Sequence, residues 1–283
     1  MRRVRPPPNH CRFPINQTLR FSVSSLTMAM HSSTQAFAVL LMLVSLCSVG
    51  SLPKPHQTDQ LRVLFIGNSL TYFNDLPSFV QAFAHSKAQK PLAFKAVTFA
   101  DFSLEDHWNQ GDARKAIARG GWDVIVLQQG PSASTDGRKS LLEYSRFFAK
   151  EIRLVKAKPA LYMVWPSVGR MQDFNGVIES YKRAAEEIEG LLFPVGEAWL
   201  SAWKRDPKLE LYSSDGLHPT VAGTYLAALV IYECLYDESA LGLPSKFKLR
   251  SGASIDIPKD QARMMQEAAA EVRKRKASPS KAA

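Results

Sequence analysis

The chain has 283 residues, which leaves room for one large α/β domain or at most two small ones, and its 46% hydrophobic content suits a globular protein. The excess of 36 Lys+Arg over 26 Asp+Glu is unevenly placed. No acidic residue precedes Asp59, an RKRK run occupies 273–276, and the middle is nearly balanced, so the folded body is not read as a basic nucleic-acid-binding surface.

In chain order, Arg2, Arg3, Arg5, Arg12 and Arg20 precede the apolar run AFAVLLMLVSLC at 36–47 and the small residues Ser48-Val49-Gly50-Ser51. This layout predicts a secretory signal over 1–50, cleaved after Gly50, and hence a secreted or periplasmic protein. Met28 or Met30 as the start would give a signal of ordinary length. The run is too short and too serine-broken for a stable membrane span, which needs about 20 apolar residues. Leu46 stands before Cys47 where a lipoprotein anchor wants a small residue. Cys11 and Cys47 would leave with the signal, so Cys234 stands alone, without an internal disulfide, in an apolar helical run that predicts a core position.

After a linker over 51–60, short apolar strands alternate with amphipathic stretches. Strands are predicted at 61–66, 93–99, 123–127, 160–165 and 191–195. Helices are predicted at 76–87, 104–118 and 177–189, with another that carries Leu141, Tyr144, Phe148, Ile152 and Val155 on one face. Residues 221–236 are almost wholly apolar and predict a deeply buried helix. Strands apolar on both faces and joined by helices imply a parallel sheet covered on both sides. The working groups of such a sheet gather in loops at the carboxyl ends of its strands. Here those loops hold Gly67-Asn68-Ser69, Ala100-Asp101-Phe102, Gln128-Gln129-Gly130 and Pro166-Ser167.

Ser69 thus follows strand one at the start of a helix. Alone, it reads as a helix cap at least as well as a nucleophile. The fragment Asp215-Gly216-Leu217-His218-Pro219, directly before the buried helix, shifts that balance. An Asp and a His three apart on a turn can meet, so that the carboxylate takes the His Nδ1–H and leaves Nε2 free to draw a proton from a serine. The plain alternative is that Asp215 holds the turn and His218-Pro219 starts a helix.

GNSL at 67–70 and DGLHP at 215–219 resemble the first and last blocks of the SGNH (GDSL) hydrolase superfamily of serine esterases, over nearly all of 61–236. The resemblance implies a three-layer, flavodoxin-like α/β/α sandwich around a five-stranded parallel sheet. It also implies Ser69 as nucleophile, His218 as general base and acid, and Asp215 as orienting carboxylate, with no cofactor. The middle blocks depart from the pattern. Ala100 and Asp101 stand where the family has an oxyanion-binding glycine, and Gln128 and Gln129 stand where it has an asparagine. A backbone N–H does not need glycine, and glutamine carries the same amide donor as asparagine on a longer arm. Gln128, which ends the strand, is the favoured donor, with Gln129 as the alternative.

His107 and Trp108 read either as pocket rim or as a packed helix start. Asn74 and Asp75 are near the nucleophile or form an ordinary turn, and His85 falls on a helix surface. No His/Cys/Asp cluster has metal-ligand spacing, and no phosphate-binding glycine motif is present. The expectation is an exported serine esterase with a hydrolase domain over 61–245, followed by a C-terminal helix and basic tail over 246–283. Its partner would be a small-molecule or polysaccharide ester, a carbohydrate O-acetyl ester first, and not nucleic acid. A non-catalytic carbohydrate- or surface-binding relative and an acyltransferase using the same serine are the rivals.

Overall fold

The computed structural model describes residues 59–277. The predicted signal over 1–50, most of the linker and the end of the basic tail lie outside the described residues. Residues 63–66 of β1 (Leu61–Gly67) are buried without remainder, as is nearly all of β3 (Val124–Leu127). A strand apolar on both faces must be covered on both, and these two form the centre of a five-stranded parallel sheet with the order β2-β1-β3-β4-β5. Next to β3 lies β4 (Lys158–Tyr162), and β2 (Leu92–Thr98) and β5 (Leu191–Phe193) form the edges.

Helices cover both faces. One layer comprises α2 (Leu76–Ser86), α7 (Val195–Arg205), α8 (Val221–Tyr236) and α9 (Lys259–Ala277). The other comprises α3 (Leu104–Gln110), α4 (Asp112–Ala118), α5 (Thr135–Leu154) and α6 (Phe174–Glu187). A single-turn helix, α1 (Ser69–Tyr72), leaves the end of β1. The apolar helix α8 begins and ends where its sequence predicts and is buried along most of its length.

The predicted helix over 104–118 is two helices, because Gly111 takes a left-handed conformation (φ 89°) and ends α3 there. The fourth strand stops at Tyr162, ahead of its predicted end. Helix α7 and the antiparallel hairpin β6 (Lys246–Lys248) and β7 (Ser254–Asp256) have no counterpart in the sequence reading. Cys234 is half-buried rather than in the core. Among the described residues no helix is long and apolar enough to cross a membrane.

In this strand order the connections leave β1 in opposite directions, opening a crevice between the carboxyl ends of β1 and β3. Register keeps those ends level, since Gly67 pairs with Thr98 of β2 and Ile66 with Leu127 of β3. The first three predicted functional loops therefore emerge side by side.

Candidate active site

Asn68, not Ser69, caps α1. Its Oδ1 accepts the Leu70 N–H at 3.1 Å, so the capping explanation for Ser69 falls away. Ser69 is the first helical residue, buried at 8% exposure, and its hydroxyl makes no hydrogen bond among the described residues. The glycine before it is required by crowding rather than by a left-handed turn. A Cβ on Gly67 would run into Gln128 Oε1 and Thr71 Oγ1. On the other side the fully buried His107 donates from Nε2 to the Gly67 carbonyl at 2.9 Å. Burial pushes its imidazole below the ordinary range, which favours the neutral ring, and Nδ1 has no partner among the described residues. Trp108 packs against Phe147 and Phe148, so the packed reading describes both residues.

The DGLHP turn is built around one carboxylate with two uses. Asp215 Oδ1 accepts the backbone N–H groups of Leu217 and His218, both at 2.9 Å, while Oδ2 lies 2.6 Å from His218 Nδ1. Contacts that hold the turn and a contact to the imidazole therefore coexist on one carboxylate. The Leu217 amide first, then the His218 ring and amide, pull the Asp215 carboxyl down to about 2, so it is ionised at neutral pH. An ionised acceptor at Nδ1 fixes the proton there and leaves the Nε2 lone pair free. Gly216 supplies the left-handed step (φ 69°) that closes the turn.

Neighbouring elements hold this turn from three sides. The loop after β4 reaches it through Val168 N–H to Gly216 O (2.8 Å) and Trp165 Nε1 to Leu217 O (3.0 Å). Ser213 donates to His218 O through both N–H (2.8 Å) and hydroxyl (2.9 Å). The third support comes from the segment that begins with Ser69. Phe73 stacks on the His218 ring at 4.5 Å, and Asn74 Nδ2 donates to Pro219 O (3.0 Å) and Thr224 Oγ1 (2.9 Å). The chain from Ser69 through Asn74 is thereby docked directly on the Asp215–His218 turn.

The middle blocks also converge. Asn68 Nδ2 reaches Phe102 O at 3.0 Å, tying the Ala100–Asp101 loop to the turn that carries Ser69. Asp101 occupies the left-handed region (φ 60°), the conformation that glycine favours at such a position. Gln128 and Gln129 do not offer free amide hydrogens. Gln128 Nε2 donates to Asn68 Oδ1 (2.9 Å) and Gln129 O (2.8 Å), and Gln129 Nε2 donates to Ser132 Oγ (2.7 Å) and Gly137 O (3.4 Å).

No protein-family model matches the chain, and no curated protein matches it. Solved structures do. A DUF4886 family protein from Bacteroides uniformis aligns at TM-score 0.63 with 19% identity, over 75% of this chain and 94% of that one. An SGNH hydrolase candidate from Slackia heliotrinireducens aligns at TM-score 0.54 with 24% identity, over 62% and 99%. The structure of TesA aligns at TM-score 0.50 with 13% identity, over 62% and 98%. The chain has the SGNH hydrolase fold.

Phe73, Trp165 and His107, which brace the site, were not identified as supports from sequence. Each acts through a contact between segments far apart in the chain, and nothing local marks an aromatic residue for that task.

Proposed function

We propose that this protein is an exported serine hydrolase that cleaves a small acyl ester through an acyl-enzyme on Ser69. The observation that carries the reading is the 2.6 Å Asp215–His218 pair, seated through Phe73 on the segment that begins with Ser69. In the first half-reaction the Ser69 oxygen attacks the ester carbonyl carbon and its proton passes to His218 Nε2. The carbonyl electron pair moves onto oxygen. It returns as the alcohol leaves, taking the proton from His218. Water then repeats the sequence with the acyl group, freeing Ser69. Asp215 stays ionised throughout and balances the imidazolium.

For the alcohol we favour a carbohydrate, giving an O-acetyl ester as substrate. A groove of about 600 Å³ beside the Asp215 turn is lined by Val168, Met171, Trp203 and Tyr212 together with Ser213 and Ser214. Among the described residues, Glu210 is its only charged lining residue. That mixture of apolar patches and hydroxyls suits a neutral sugar and disfavours an anionic one. Export rests on residues 1–50, which lie outside the described residues. N-terminal sequencing of secreted material tests it, with a start near Ser51 expected and a retained Arg-rich lead excluding a cleaved signal.

A fluorophosphonate probe tests the chemistry. It should label the wild-type protein at Ser69 and leave Ser69→Ala unlabelled. A non-catalytic binding protein would not react at all. Release of acetate from an acetylated polysaccharide, absent in Ser69→Ala, tests the substrate class.

A further inference from the structure

Gln128 is fully buried, and its amide touches both sides of the nucleophile. Oε1 accepts the Asn68 N–H at 2.9 Å and the Thr71 hydroxyl at 2.7 Å, the residues one before and two after Ser69. Nε2 returns a bond to Asn68 Oδ1, the same oxygen that caps α1, and a second to Gln129 O. Four hydrogen bonds thus saturate the amide, and Gly67 has no side chain because this amide fills the space. A helix of one turn cannot hold its own shape, since the first turn of any helix is unfavourable without outside support.

Resting on the serine-hydrolase reading, we propose that Gln128 is a positioning residue that fixes the Ser69 turn, with Thr71 as the lever through which it acts, and that it does not donate to the oxyanion. The developing charge is left to unpartnered backbone N–H groups in the loops around Ser69. The Ser69 N–H has no partner among the described residues. Nor do the N–H groups of Ala100 and Asp101 in the adjoining loop. A direct donor and a strut predict different behaviour at Thr71. The Thr71 hydroxyl already donates to Gln128, so its removal matters to catalysis only if the strut matters.

The test is steady-state hydrolysis of p-nitrophenyl acetate by Thr71→Val, Thr71→Ser, Gln128→Met and the Thr71→Val/Gln128→Met double variant. Ser69→Ala serves as control, with thermal midpoints measured on each protein. The expected result is a kcat lowered about tenfold or more in Thr71→Val and Gln128→Met, with KM held within about twofold. The double variant should be no worse than Gln128→Met alone, Thr71→Ser should restore the rate, and the pH profile should stay that of the wild type. A Thr71→Val protein with wild-type kcat overturns the strut, and if Gln128→Met then loses about 10²–10³ the amide is a direct donor. Thr71→Val decides the matter even if Gln128→Met fails to fold. An active Ser69→Ala protein would overturn the hydrolase reading, and this proposal with it.

Discussion

Asp215 binds two backbone amides and one imidazole with a single carboxylate, so its substitution should show in two separable ways. Its folded pKa of about 2 lies below the ordinary 3.8. A depressed carboxyl contributes stability that is fully present above the ordinary value and lost as pH falls through the folded one. The wild-type thermal midpoint should therefore fall between about pH 4 and pH 2 by more than that of Asp215→Asn. Activity at neutral pH should respond differently. Asp215→Asn lets the imidazole take the wrong tautomer, and a loss of about 10⁴ in kcat is the scale seen when a triad carboxylate is changed this way. Ser69→Ala and His218→Ala should each remove most turnover on an activated acetate ester, and the pair together little more. Initial rates and melting curves on the same samples separate these effects from misfolding.

At the scale of elements, the site is a junction between the β1–α1 turn and the turn before α8. Gly67→Ala would place a methyl group against Gln128 and Thr71, so it should lower the melting temperature and kcat together. Rates normalised to folded protein that match wild type would refute the crowding argument. The strands and most helices were legible in sequence because burial on two faces or on one helical stripe leaves a period. The Asp215–His218 contact was legible because the turn chemistry and the D-x-x-H spacing are local. The break at Gly111 was hidden, since an isolated glycine within a helical stretch does not by itself end a helix. The 246–256 hairpin was hidden because three-residue strands carry too little alternation. The role of Gln128 was unreadable for another reason: an amide donor in sequence gives no hint of which acceptors it will meet.

At the scale of the whole molecule, one conspicuous electrostatic cost among the described residues lies away from the site. Glu233 on α8 is 2% exposed and accepts the Ala240 N–H at 2.8 Å. Burial pushes its carboxyl up to about 6, against smaller opposing effects of that amide and Arg273. The folded chain therefore holds a proton that the unfolded chain releases, and stability falls as pH rises from about 4.5 towards 6. Glu233→Gln keeps the acceptor without the charge and should stabilise the protein at pH 8 by about 2 kcal/mol, and far less at pH 4.5. Equal gains at both values would show that burial of charge is not the cause. Across the surface, four of the six exposed large apolar residues in the described chain, Tyr72, Val168, Met171 and Val221, lie within a few residues of Ser69, Asp215 or His218 or line the adjoining groove. Apolar surface is thus concentrated where substrate would land. The single-turn helix has its own consequence on heating. Four residues whose shape depends on outside contacts form a local weak point, able to open while the sheet is intact. Warmed slowly, the protein should stop working several degrees before its circular dichroism changes, and cooling from that interval should bring the activity back.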